Sequence, residues 1–222
     1  MRTVLSIDPG EEGGAFLLGR NEDETDVLVL GAVAWRRKGA DRHAISWVDR
    51  RTRTLRRSTV TTLAQVGALA IPAALEVGPS SRPDAIAIED AFVGVNPRTA
   101  LRVARDGGRL EAALEGACWP GRPPTVRFLD PNAWWRALGL RAARERDERK
   151  AISVKEVPNL LPGLAEVFVL LGRSHHLSDA AAIGLTAIRH DAWDDLSDQA
   201  WAARVGEAGT RPRSARRASV EP

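Results

Sequence analysis

The sequence predicts an α/β fold, because short apolar strand-like runs alternate along it with stretches of helical spacing. Two observations carry that prediction. Residues 85–89 (AIAIE) form a wholly apolar run closed by an acid, typical of a central strand covered on both faces. The order of elements reads strand, strand, strand, helix, strand, helix, strand, helix, which builds a central mixed sheet of five strands flanked by helices. A chain of 222 residues is long enough for one substantial core.

Residues 3–8 (TVLSID) make the first strand, ended by the turn chemistry of Asp8, Pro9 and Gly10. Residues 13–18 follow as the second strand and 27–35 (VLVLGAVAW) as the third. Residues 43–48 (HAISWV) read as either a fourth strand or an insertion. Residues 61–75 place Leu63, Val66, Leu69 and Ile71 at helical spacing, interrupted at Pro72. After the 85–89 strand, Asn96 reads as an N-cap and Pro97 as the first helical residue. Gly107 and Gly108 each weaken that helix by roughly 1 kcal/mol relative to Ala, so close packing is expected there. Residues 126–129 make another central strand, and Asp130-Pro131 opens the short helix NAWWRAL. The polar segment 141–150 is expected to be mobile. Ser178 is expected to cap the helix DAAAIGLTAIRH. The expected organisation is one domain over residues 1–190 and a basic C-terminal extension over 191–222, disordered from about Gly206.

Composition narrows the function classes. No apolar stretch reaches the roughly 18 residues that a membrane helix needs, so no membrane association is expected. MRTVLSIDPG does not read as a signal peptide, and the single Cys118 excludes a disulfide framework and a cysteine zinc cluster. A reducing, cytoplasmic setting is the expectation. The formal net charge is only +3, but residues 36–57 hold nine basic side chains against two acidic, and residues 136–155 hold seven against three. Clustered Arg suggests a polyanion surface, while the scarcity of Lys (only 38, 150 and 155) fits a compositional bias equally well.

Why should an apolar strand deliver a carboxylate to its end twice? Asp8 closes the first strand and Glu89 a later central strand, and each taken alone suits an ordinary turn or edge. A third group, His176 and Asp179 in HHLSDAAAIGL, stands three apart at a helix start, which puts both on one face. If the strands are neighbours and this helix lies over their ends, four ligating groups converge. Hard oxygen donors with one imidazole suit Mg²⁺ or Mn²⁺. Two such ions about 4 Å apart stabilise both attacking and leaving oxygens in phosphodiester cleavage.

On IDPG at 7–10, IAIEDAFVGVNPRTALRVARDGGRLEAAL at 86–114, VRFLDPNAWWRALGL at 126–140 and HLSDAAAIGLTAI at 176–188, the chain resembles the RuvC family of Holliday-junction resolvases, which have the RNase H-like fold. The resemblance spans about residues 3–190. It implies that Asp8, Glu89, His176 and Asp179 are catalytic and bind two Mg²⁺ ions, with Mn²⁺ as a substitute. It implies that Phe92 stacks near the junction crossover, and that Arg136 and Lys150 fall near phosphate-contacting positions. With Arg149 and Lys155 of the same basic segment, these are the candidate DNA contacts. The helix at 97–117 resembles the family's dimer-forming helix, so a homodimer nicking both strands of a four-way junction symmetrically is expected, with products ending in 5′-phosphate and 3′-hydroxyl. A branch-migration motor is a further conceivable partner. Glu11 and Glu12, the longer Arg-rich segment at 38–57 and the tail beyond 190 depart from the family. Two other classes compete. One is a non-catalytic RNase H-like protein that only holds branched DNA, against which the intact acids argue. The other is a phosphotransferase of the sugar kinase–actin type, disfavoured because no second glycine-rich phosphate loop is visible.

Overall fold

The computed structural model describes every residue except 23, 40–41, 50, 91–96, 120–123, 144 and 211–222, with backbone only at 97, 99–100 and 208–210. Its centre is one sheet of seven strands, β1 (Arg2–Asp8), β2 (Glu12–Arg20), β3 (Leu28–Arg37), β4 (His43–Val48), β5 (Leu55–Val60), β6 (Ala85–Glu89) and β7 (Thr125–Leu129). They lie in the order β5-β4-β3-β2-β1-β6-β7. The first five strands are antiparallel to their neighbours, and β6 joins β1, and β7 joins β6, in parallel. The expected mixed sheet is present, but with seven strands rather than five. Residues 43–48 are a true strand, and β5 pairs beside it. The sequence concealed β5 because LRRSTV has no apolar face: four of its six residues are exposed at the sheet edge.

The helices cover both faces. On one lie α1 (Leu63–Gln65), a π-helical turn (Val66–Ala70), α2 (Ile71–Leu75) and α3 (Pro97–Cys118). Pro72 does not stop the helix as expected. It has no N–H to donate, and the turn before it widens, with Ile71 N–H bonding back to Val66. On the other face lie α4 (Pro131–Ala137), α5 (Arg146–Leu160), α6 (Gly163–Leu171), α7 (His175–Arg189) and α8 (Asp198–Thr210). The segment 141–150, expected to be mobile, therefore begins α5 from Arg146. The cap of α7 is Ser174, so Ser178 sits inside the helix, buried, with its hydroxyl donating to Ser153 O at 2.7 Å.

Beyond residue 190 the chain returns to the core. Trp201 and Val205 of α8 are buried in the cluster that contains Trp134, Leu185 and Ile188. The disorder expected from Gly206 gives way to helix through Thr210. Arg127 of β7 is buried and fully engaged, donating to Ala192 O, Asp194 O and Asp198 Oδ1. A buried guanidinium is tolerated because every donor it turns inward has an acceptor. Asn96 lies outside the described residues. Among the described residues, no helix is long and apolar enough to cross a membrane.

Candidate active site

The register brings the two strand-ending acids together. Ile7 pairs with Ile88 in parallel strands, so Asp8 and Glu89, one residue further, emerge side by side from the carboxyl end of the sheet. The Trp35 indole N–H donates to Gly10 O at 2.9 Å and ties down the turn after Asp8. Helix α7 reaches this edge because two glycines let it lie close. A Cβ at Gly14 would stand 3.1 Å from His176 O, and one at Gly184 would stand 2.5 Å from Ser6 Oγ. The first turn of α7 is thus held over the end of β1, with His176 and Asp179 facing the acids.

One cleft of about 760 Å³ is lined by Asp8, Glu89, His176 and Asp179, with Arg149 and Lys150 on its rim. His176 Nδ1 and Asp8 Oδ2 are 2.7 Å apart, and His176 Nε2 lies 4.0 Å from Glu12 Oε2. Ser153 Oγ donates to Asp179 Oδ1 at 2.5 Å, clamping α5 to α7. Nothing in the sequence singled out Ser153; a lone Ser inside a helix carries no pattern.

Charge is poorly balanced here. Burial pushes the Asp8 carboxyl well above the usual carboxylate range, Asp179 raises it further, and a hydrogen bond with Glu89 opposes the shift. Glu89 is also raised, first by burial and then by Asp8 and Asp179. Trp134 Nε1 is buried and has no acceptor at bonding distance. Asp179 is pushed up to about 6 by burial, opposed by Ser153, His176, Arg149 and Lys150. Burial lowers His176, and lowers His175 to about 4 with the help of His176 and Lys150. Both imidazoles are therefore neutral at pH 7, and the His176–Asp8 contact is a hydrogen bond rather than an ion pair.

Three crowded carboxyl groups that resist ionisation, plus a neutral imidazole, are the donor set of a hard divalent cation. Among the described residues, no three such groups are already arranged around a common point. The side chains satisfy one another instead: His176 is turned onto Asp8, and Asp8 onto Glu89. The donor set fits an ion, and ion binding requires these hydrogen bonds to open.

The candidate DNA contacts divide. Phe92 lies outside the described residues. Lys150 lines the cleft and, with Lys155, a neighbouring groove of about 1160 Å³ between α5, α6 and the start of α7. Arg149 also reaches the cleft, yet its guanidinium stacks 4.7 Å from the Trp135 ring centre and donates to Asn132 Oδ1 and Pro131 O. Arg136 is exposed on α4, outside the lining of both cavities. Of the two unexpected acids, Glu11 is neutralised by Arg37 at 2.5 Å, and Glu12 stays exposed at the rim.

A mixed sheet led by antiparallel strands, extended by parallel crossovers and bearing acids at the ends of β1 and β6, defines an RNase H-like α/β protein. Among solved structures, that fold is found in RuvC. The structure of T. thermophilus RuvC in complex with a Holliday junction substrate matches with a TM-score of 0.53 at 19% identity, covering 93% of this chain and 97% of that one. A second Thermus thermophilus RuvC structure covers 92% and 96% at 24% identity, with a TM-score of 0.39. No family model and no curated protein sequence matches the chain.

Proposed function

We propose that the protein is a Mg²⁺-dependent endonuclease that cuts four-way DNA junctions, a role in DNA recombination and repair. One observation carries this reading: Asp8, Glu89, His176 and Asp179, from two strands and a helix, line a single cleft on a RuvC-like fold. The matching RuvC structure holds a Holliday junction, which supports branched DNA as the substrate here. Asp8, Glu89, Asp179 and His176 are the residues that would hold two ions, Mg²⁺ or Mn²⁺. Such ions supply an activated water and offset the charge that builds on the scissile phosphate.

The chain's own groups do the rest. Ser153 fixes the rotamer of Asp179. His176, neutral at pH 7, is able to accept a proton at Nε2 beside Glu12. Lys150 and Lys155 contact backbone phosphates without reading sequence, so affinity falls steeply with salt. Residues 1–190 supply the chemistry, with α8 bracing them from behind. A homodimer formed through α3 places two such clefts on one junction for paired nicks. Phe92 and Arg136 remain proposed DNA contacts, and a cytoplasmic setting follows from such work.

The test is nicking of a four-way junction with Mg²⁺ or EDTA. Wild type cuts only with Mg²⁺, and Asp8→Asn binds the junction but leaves it intact. Cleavage by that variant at the wild-type rate would overturn the assignment. The non-catalytic reading is favoured by the lack of a preformed three-ligand cluster among the described residues. It requires wild type to bind junctions with no Mg²⁺-dependent nicking.

A further inference from the structure

The five-stranded expectation left residues 43–48 as either a strand or an insertion and lacked β5; the Arg-rich segment runs from the end of β3, with Arg36 and Arg37, to β5, with Arg56 and Arg57. The sheet register shows where these arginines face. Residues directly opposite across paired strands share a face. Asp8 pairs with Gly14, Gly14 with Ala34, Ala34 with Ser46 and Ser46 with Arg57, one row running straight across five strands. Gly14 looks at the backbone of His176 and Leu177, so the whole row lies on the catalytic face. Two residues along, Glu12 pairs with Arg36, Arg36 with Ala44 and Ala44 with Thr59 on that same face. Four strand spacings put Arg57 about 19 Å from Asp8. Over that distance a duplex carries roughly eleven phosphates.

The two faces treat their strand arginines differently, while Arg53 in the turn between β4 and β5 pairs with Glu166 of α6. On the opposite face, Arg56 meets Asp49 at 3.4 Å and Arg37 meets Glu11 at 2.5 Å, so each cation has a carboxylate of its own chain. On the catalytic face, Arg36 and Arg57 are exposed and form no ion pair with any described residue. Exposed guanidinium groups without internal partners, in line with the acids, form a surface complementary to a polyanion rather than a solvated shell.

We propose that the outer part of the sheet, from β3 to β5, is a second backbone-contact surface, in which Arg36 of β3 and Arg57 of β5 grip phosphates of a duplex arm whose junction end lies in the Asp8 cleft. The inference rests on the nuclease reading for the junction end, and on the register alone for the arm. Arg geometry suits phosphate oxygens, and no base readout is implied, so the contact is independent of sequence.

The test measures affinity of the full-length protein for a four-way junction and for linear duplex across a salt series. Losing two phosphate contacts in Arg36→Ala/Arg57→Ala lowers the slope of log affinity against log salt by about 2 and weakens binding about tenfold at low salt. Arg56→Ala, on the opposite face of the same strand, stays within about twofold of wild type. Arg36→Lys/Arg57→Lys restores most of the slope, which separates lost charge from a damaged fold. Wild-type affinity and slope in the double alanine variant would overturn the proposal, as would an equal loss in Arg56→Ala. A reduced slope in a protein whose wild type never nicks junctions would keep the surface and discard the nuclease reading.

Discussion

At Asp179, burial raises the carboxyl to about 6 while Ser153 donates to it at 2.5 Å, so the group is positioned but electrostatically uncomfortable. The sign of the consequence is definite. A carboxyl raised from 3.8 to about 6 on folding favours the folded state below pH 3.8 and withdraws that support as pH rises through about 6. Ion-free protein at pH 7.5 therefore carries a penalty that Asp179→Asn removes, since Asn still accepts from Ser153. In EDTA the variant is more stable than wild type by about 1–3 kcal/mol at pH 7.5, and the gap closes near pH 4. Thermal melts at the two pH values check this. On the proposed reading, added Mg²⁺ is expected to raise the melting temperature of wild type but not of Asp8→Asn.

The element that places the site is α7, and its closeness to the sheet depends on having no side chain at Gly14 and Gly184. Gly184→Ala would bring a Cβ to 2.5 Å from Ser6 Oγ and 2.8 Å from Leu18 Cδ1. Overpacking of this kind costs about 1–3 kcal/mol in a denaturant melt and displaces His176 and Asp179 from the acids, so nicking falls more than stability alone explains. Behind α4, helix α8 contributes Trp201, whose ring is buried, whose Nε1 donates to His190 O at 2.9 Å, and over which Arg127 stacks. Trp201→Ala is expected to cost about 3–5 kcal/mol, measured by equilibrium unfolding. Strands ending in acids were legible in the sequence because apolar runs and turn residues are local signals. Helices α5 and α6 were not singled out. The segment containing α5 is dominated by charged residues, and Pro158 lies inside that helix, which disguises its period.

For the molecule as a whole, the open question of symmetry falls on α3. Leu101 stands 72% exposed on it, close to the cleft lined by Arg102, Val103 and Asp106 of the same helix. If α3 is the dimer surface, Leu101→Asp converts the dimer to monomer by light scattering and replaces paired nicks with single nicks. Retention of a dimer in that variant would move the interface elsewhere. The charge layout acts at this scale too: the Lys150–Lys155 groove and the row holding Arg36 and Arg57 lie on the same side of the sheet as Asp8, so on the proposed reading positive charge flanks the acids from two directions.

The sequence by itself determined the α/β class, the five strands with apolar cores, and the acids at the ends of β1 and β6, because these follow from hydrophobic periodicity and turn chemistry within a few residues. It also hinted at His176 and Asp179, since their spacing makes one helical face. Only the tertiary structure decided that β4 and β5 extend the sheet, that α8 completes the core, and that Ser153 holds Asp179. Those outcomes come from pairing and packing between segments far apart in the chain, where no local pattern records the partner.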